Sequence, residues 1–189
     1  MLRACLPKAG TMKPLAALAL LTLLAACAAP AAGPPHIDHV NSDEFSKNYE
    51  IIGMPQSETP DVHVVRIQAT YKWALRSWVD KTTHNAHHAI YFYIHYSGAH
   101  RRNFFLANNE NAEEMEIVPI EKAGHGCASK CDIIEALDVT IDEKMLRTHA
   151  NSGFRIKISS RSGDEIIIPI TPVMIQLQLE AVSKYEAIR

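Results

Sequence analysis

The sequence predicts a mainly β fold, an antiparallel β-sandwich or a curved sheet with a short helix and a C-terminal amphipathic helix. Three observations carry this. From Val62 onward apolar and polar residues alternate with period two. Clusters of Gly, Asn, Asp and Ser separate the alternating runs at hairpin spacing. Thr171-Pro172 then places an N-cap and a first-turn proline ahead of Ile175, Leu179 and Val182, which fall on one helical stripe. About seven short strands with a terminal helix indicate a two-layer β arrangement.

The elements follow in order. Val62 to Ala69 reads as a strand. Tyr71, Trp73 and Leu75 continue the alternation, although Lys72 to Val79 also fits one or two helical turns. Ala89 to Tyr96 is β-branched and aromatic and ends at Ser97-Gly98. It is apolar on both faces, with Tyr91, Tyr93 and His95 opposite Ile90, Phe92 and Ile94. Such a strand is central in a sandwich, or else its second face is a docking surface. Arg102 to Ala107 is the next strand, closed by Asn108-Asn109-Glu110-Asn111. In Met115 to Ile120, Pro119 implies an edge or a bulge. Cys131 to Ile141 is a long strand with Ile133, Leu137, Val139 and Ile141 on one face. Asp142 caps a short helix, Glu143 to His149, which stops near Asn151 and Gly153. Phe154, Ile156 and Ile158 share a face with Ile166, Ile168 and Ile170 across the Ser160–Asp164 hairpin loop.

The N-terminal region has a different character. Arg3, Lys8 and Lys13 precede an uncharged run from Leu15 to Ala26, the layout of a secretory signal. That run has 12 residues, whereas a membrane-spanning helix needs about 20. It closes on Leu24-Ala25-Ala26-Cys27, which resembles the lipobox of bacterial lipoproteins. The resemblance implies cleavage before Cys27, lipid such as palmitate on that residue, and an anchor firm enough to be stable, since two or more acyl chains hold where one is marginal. Ala28 is not the Asp that retains such proteins at the inner membrane, so the expected place is the outer membrane, facing the periplasm. Residues 1–26 are then the signal peptide, 27–60 the lipidated cysteine and tether, and 61–189 a single β-rich domain. Ala28 to Pro35 is Pro-rich and tether-like, and only Phe45, Tyr49, Ile51 and Ile52 hint at a docked strand before Pro60. Met12-Lys13 would also serve as a start.

Cleavage would remove three of 19 basic residues and none of the 21 acidic ones, a balance of about −5. A mildly acidic chain without a basic stretch argues against nucleic acid as a partner. Neither a G-x-S-x-G elbow, a phosphate loop, a dinucleotide fingerprint nor a calcium loop is present, so neither an enzyme nor a cofactor is expected.

Cys127 and Cys131 form the clearest local constellation. In an oxidising compartment, paired cysteines become disulfides. Positions four apart in a straight strand are roughly 13 Å apart, and a disulfide needs Cα atoms within about 7 Å. The segment must therefore turn, as Gly124 and Gly126 allow. A ring this small contributes only ~2 kcal/mol. The reading is a staple at a hairpin tip. A redox pair and a zinc or copper site with His125, Cys127 and Cys131 are the alternatives. Ten histidines are present, five of them between His84 and His100. Were Thr83 to Ala89 helical, His84, His87 and His88 would share one face. The bland reading is a solvated loop, and the sharper one a metal site. Glu135 falls by parity on the apolar face of its strand, where a carboxylate is costly unless paired. Arg101 or Arg102 are candidate partners in a buried or rim ion pair. A perturbed acid in a pocket is the functional alternative, and a single bulge would turn Glu135 outward.

Between Cys127 and Val182, the cysteine pair, the Glu four residues after it, the Ser162-Gly163 hairpin and the terminal amphipathic helix together resemble small uncharacterised lipoproteins of Gram-negative envelopes. That resemblance implies no activity. The sequence therefore leads to a lipid-anchored binding or structural module whose partner is an envelope protein or a small ligand. The alternative is a periplasmic zinc- or copper-binding protein built on the His84–His100 cluster.

Overall fold

The structure, a computed structural model, describes residues 36–58, 69–123 and 131–188. In chain order its elements are β1 (Ile37–Asn41), β2 (Asn48–Gly53), β3 (Gln56–Glu58), β4 (Ala69–Asp80), β5 (Ala86–Gly98), β6 (Phe104–Asn109), β7 (Glu114–Met115), β8 (Ile117–Ala123), β9 (Cys131–Ile141), α1 (Glu143–Thr148), β10 (Phe154–Ser160), β11 (Glu165–Ile170) and α2 (Pro172–Glu186). They form two antiparallel sheets that do not close into a barrel.

The larger sheet runs β1-β2-β4-β5-β9-β8, with β3 pairing along the other half of β4. The smaller runs β11-β10-β6-β7. Period-two alternation builds the core between them. Trp73, Leu75, Ile90, Phe92, Ile94, Ile133, Leu137 and Val139 come from the larger sheet, and Phe104, Phe154, Ile156, Ile158, Ile166, Ile168 and Ile170 from the smaller. Each fully buried isoleucine or phenylalanine contributes about 2 kcal/mol of transfer free energy. Trp73 also donates its indole N–H to the Pro169 carbonyl at 2.9 Å, tying the sheets together where a buried polar atom needs a partner.

α2 covers the part of the same inner face that the small sheet leaves open, packing on β2 and β4. Its buried positions are Met174, Ile175, Gln178, Ala181 and Val182, spaced three and four apart. Thr171 caps it by accepting from the Met174 N–H, and Pro172 occupies the first turn. α1 is capped by Asp142, whose side chain accepts from the Lys144 N–H. The chain leaves α1 through Gly153 at φ +69°.

Several expectations are met. β9 has the predicted bounds, and its predicted face is buried. β5 is central. β8 is the sheet edge, with its register shift between Pro119 and Glu121, because proline has no N–H for the ladder. Others are corrected. Residues 69–80 are one 12-residue strand and not partly helical, because the alternating face of Trp73, Leu75, Ser77 and Val79 is buried against the core and α2. The tether does not extend to Pro60. Residues 37–58 supply β1, β2 and β3, in which Ile51 is fully buried. Hydrogen bonding of β2 and β3 to β4, and of β1 to β2, overrides the polar composition there, while Phe45 stays in solvent. The strand expected from Val62 lies outside the described residues up to Ala69, as do the signal segment and the tether up to Pro35. No helix among the described residues is long and apolar enough to cross a membrane.

Candidate functional site

The inner face of the larger sheet is closed by the smaller sheet and α2, which leaves its outer face as the accessible surface. By strand parity that face carries Lys72, Ala74, Arg76 and Trp78 from β4, Tyr91, Tyr93 and His95 from β5, Ala136 and Asp138 from β9, and Glu50 from β2. Ala74, Ala89 and Ala136 are buried although they point outward. The larger side chains beside them lie over this alanine floor.

Arg76 is the centre of the arrangement. Its Nε donates to Glu50 Oε1 at 3.0 Å, Nη2 donates to the same oxygen, and Nη1 donates to Asp138 Oδ2 at 3.3 Å. Its guanidinium carbon lies 4.8 Å from the Trp78 ring centre and 5.6 Å from that of Tyr91. The two carboxylates respond differently. Burial opposes the charge on Glu50, but hydrogen bonds from Asn41 and Arg76 and the Arg76 charge hold it below the ordinary carboxylate range. Burial dominates at Asp138 and pushes its carboxyl up despite Arg76, with the Glu50 charge adding to the rise. Oδ1 of Asp138 is buried without a hydrogen-bond partner. One guanidinium thus serves two carboxylates, and the more buried of them is served less well. Beside this cluster a shallow hollow of about 230 Å³ is lined by Pro55, Lys72, Trp73, Tyr91 and Tyr93.

The predicted histidine cluster does not assemble. Residues 86–98 are a strand and not a helix, so His87 points outward while His88 is buried on the inner face. His84 sits in the preceding turn at φ +59°, organised by Asp80, which accepts from the N–H groups of Thr82 and Thr83. The helical face that a shared metal site required is not formed, and no group of three potential ligands converges among the described residues. The reading of the whole cluster as a solvated loop is corrected as well. His88 Nδ1 lies 2.8 Å from Ser77 Oγ, and Ser77 accepts from Gln178 Nε2 at 2.8 Å. Gln178 gives its other amide hydrogen to the Ile51 carbonyl at 3.0 Å. The tautomer sets which of Ser77 Oγ and His88 Nδ1 donates in this contact, and His88 Nε2 is buried without a hydrogen-bond partner. Burial lowers the His88 pKa, so the ring is neutral. A serine–histidine contact is also the geometry of an activated nucleophile. Here it is sealed, with Ser77 0% and His88 3% exposed beneath α2, and it ties the sheet to the helix.

Glu135 lies on the inner face, as parity predicted, and is 3% exposed. Its expected partner is corrected. Oε1 accepts from Tyr96 Oη at 2.5 Å, from the Arg102 N–H at 2.9 Å and from the Asn103 N–H at 3.2 Å. The Arg102 guanidinium turns instead to Asp164, at 3.3 Å, and Arg101 takes part in this loop through its carbonyl, which accepts from Asn103 Nδ2. Two successive amides aimed at one anion are the arrangement of a backbone nest, and Asn103 accommodates it at φ +55°. Burial, then the hydrogen bond to Glu135, pushes the Tyr96 phenol well up. No sequence signal pointed to amides as the partners.

Cys131 is disulfide-bonded. Cys127 and His125 lie outside the described residues, as does Cys27. The chain matches no family model, no curated protein and no solved structure. The outer face around Arg76 is therefore interpreted from its own geometry.

Proposed function

We propose that this chain is a lipid-anchored binding module of the bacterial envelope, exported, held at Cys27 and facing the periplasm, which recognises its partner through the outer face of the larger sheet. The observation that carries this is the open platform itself. Trp78, Tyr91 and Tyr93 are partly exposed around an ion-paired guanidinium, on a face that no other described element covers. Partly exposed rings with a polar edge supply contact area at low entropic cost. The only buried serine–histidine pair among the described residues is closed to substrates, which favours binding over catalysis. Leu24-Ala25-Ala26-Cys27 supports the anchor, and a disulfide between Cys127 and Cys131 fits both the oxidising compartment and the bonded state of Cys131.

The test joins both halves. Mass spectrometry of the protein from membranes should find Cys27 acylated at a new N-terminus, and Cys27→Ala should shift the chain to the soluble fraction. A photo-crosslinking residue at Tyr93, in cells, should capture a partner that the same probe at Ile167, on the smaller sheet, does not. An intact leader with a free Cys27 thiol would overturn the anchor. Equal capture from both positions would overturn the assignment of the face.

A further inference from the structure

The hollow beside Arg76 has a composition that selects among ligands. The cation at the middle of the platform, Arg76, is already paired with Glu50 and Asp138. At its end His95 stands 3.7 Å from Asp132. Lys72 is different. It is exposed and has no ion-pair partner among the described residues. It stands opposite Tyr93 across the β4–β5 ladder, on the rim of the hollow. The hollow thus presents two tyrosine rings, a proline wall and one available cation.

We propose that this hollow is a subsite for one pyranose ring bearing a carboxylate, within an acidic oligosaccharide laid along the face. The proposal deepens the reading of the outer face as the binding surface and rests on it. Three arguments favour that occupant. At about 230 Å³ the hollow falls below the ~300–1,000 Å³ of sites for larger ligands, which suits a single ring. The weakly positive C–H groups on the face of a sugar ring complement the negative face of Tyr91 or Tyr93, and its hydroxyls suit the polar surround of the Arg76 cluster. The single unpaired cation complements a single anionic group per ring. A protein partner fits less well on one count: Lys72, Glu50 and Asp138 are residue types depleted at the centres of protein interfaces.

The lysine is exposed, so its contribution is small and screened by salt. Calorimetry on the soluble domain (residues 28–189) at low ionic strength, with hexagalacturonate as the acidic probe and its methyl ester as the neutral one, should show about a three-fold preference for the acid. Lys72→Gln should abolish that preference while keeping the affinity for the ester. Tyr93→Ala should weaken both by about ten-fold, and Tyr93→Phe should restore them. Lys157→Gln, on the other sheet, should change nothing. Amide shifts on titration should centre on residues 72, 91 and 93. Equal binding of acid and ester by the unaltered domain would overturn the role of Lys72. Absence of binding by either probe overturns the saccharide assignment. If Tyr93 nonetheless crosslinks selectively in cells, the face remains the binding surface for another partner. If both fail, both readings fall.

Discussion

Removing the Glu135 carboxylate should open the corner where the two sheets meet. Glu135 belongs to β9 of the larger sheet, whereas Arg102 and Asn103 begin the connection into β6 of the smaller. The same loop carries the Arg102–Asp164 pair, and both Arg102 and Asn103 carbonyls accept from the Arg161 N–H at 3.1 Å. In Glu135→Ala three donors lose their acceptor. The Arg102 N–H keeps a second one, Tyr96 Oη at 2.7 Å. Two donors, the Tyr96 hydroxyl and the Asn103 N–H, are then left without Oε1. At ~1–3 kcal/mol for each buried donor left unsatisfied, the expected loss is about 2–6 kcal/mol, before any cavity term. Glu135→Gln keeps an acceptor and loses only the charge assistance, so about 1–2 kcal/mol is expected. For a domain of this size each kcal/mol lowers Tm by roughly 2–4 °C. Urea denaturation of both variants and of Tyr96→Phe would show the order Ala, then Gln, then Phe in decreasing cost. A double-mutant cycle between Glu135→Ala and Tyr96→Phe should give a coupling of about 1 kcal/mol or more. The reasoning is refuted if Glu135→Ala unfolds at the wild-type midpoint, because the carboxylate would then be a tolerated burden and not the acceptor that holds the loop.

Two further expectations concern the α2 side of the molecule. His88 is buried and neutral with a lowered pKa, so the unfolded chain takes up a proton at this residue before the folded one does. Its contribution to stability is therefore present above about pH 6.5 and declines as the pH falls below that value, with a slope of at most about 1.4 kcal/mol per pH unit. The groups that face it are Glu143 and Asp142, which favour the proton, and His87 and Arg147, which oppose it. Chemical denaturation between pH 5 and 7 should show His88→Gln losing that part of the slope, and an unchanged slope would count against the assignment. At Gly153 an added Cβ would stand 2.6 Å from the Ile170 carbonyl oxygen at φ +69°, so Gly153→Ala should cost more than the ~1–2 kcal/mol of the left-handed conformation alone. Gly163, at φ +83° with nothing within 4 Å, should cost only that conformational part, and equal thermal shifts for the two alanine variants would contradict the close approach.

Periodicity read β9, β10 and β11 well because each has one wet and one dry face, and a one-residue error would have exposed the whole dry set. The same parity placed Glu135 on the inside. It could not name the partner, because backbone amides leave no trace in side-chain identity, and Arg102 looked like the natural counter-ion. Residues 37–58 were misread for a related reason. β1 to β3 are short and polar in composition, and they are strands because β4 offers a ladder to β2 and β3, and β2 in turn offers one to β1. Such tertiary dependence is not written in a local window. His88 was hidden by its neighbours, Thr82 to Asn85, whose turn chemistry is real but ends one residue before β5 begins. The Arg76 cluster joins residues 26 and 62 positions apart. Its only sequence signal was an arginine between Ala74 and Trp78 in a strand otherwise rich in apolar residues.

The positions of these polar groups follow a common physical logic. Burying a polar side chain is costly unless its partners are already in place. Inside the sandwich these polar contacts sit at the joints that connect separate elements, although His88 Nε2 and Gln178 Oε1 stay buried without a hydrogen-bond partner. Glu135 links the larger sheet to the β5–β6 loop, and Ser77, Gln178 and His88 link it to α2. Such contacts specify how the layers dock, which an apolar interface alone defines less strictly. The outer face differs. There Asp138 likewise keeps one oxygen unpartnered, but a single guanidinium spans two carboxylates without gaining any interlayer contact among the described residues. A cluster that costs desolvation and joins no second layer is poorly explained by folding alone. The absence of an interlayer role, on a face left open to solvent, is the reason to place recognition here and not in the sealed interior.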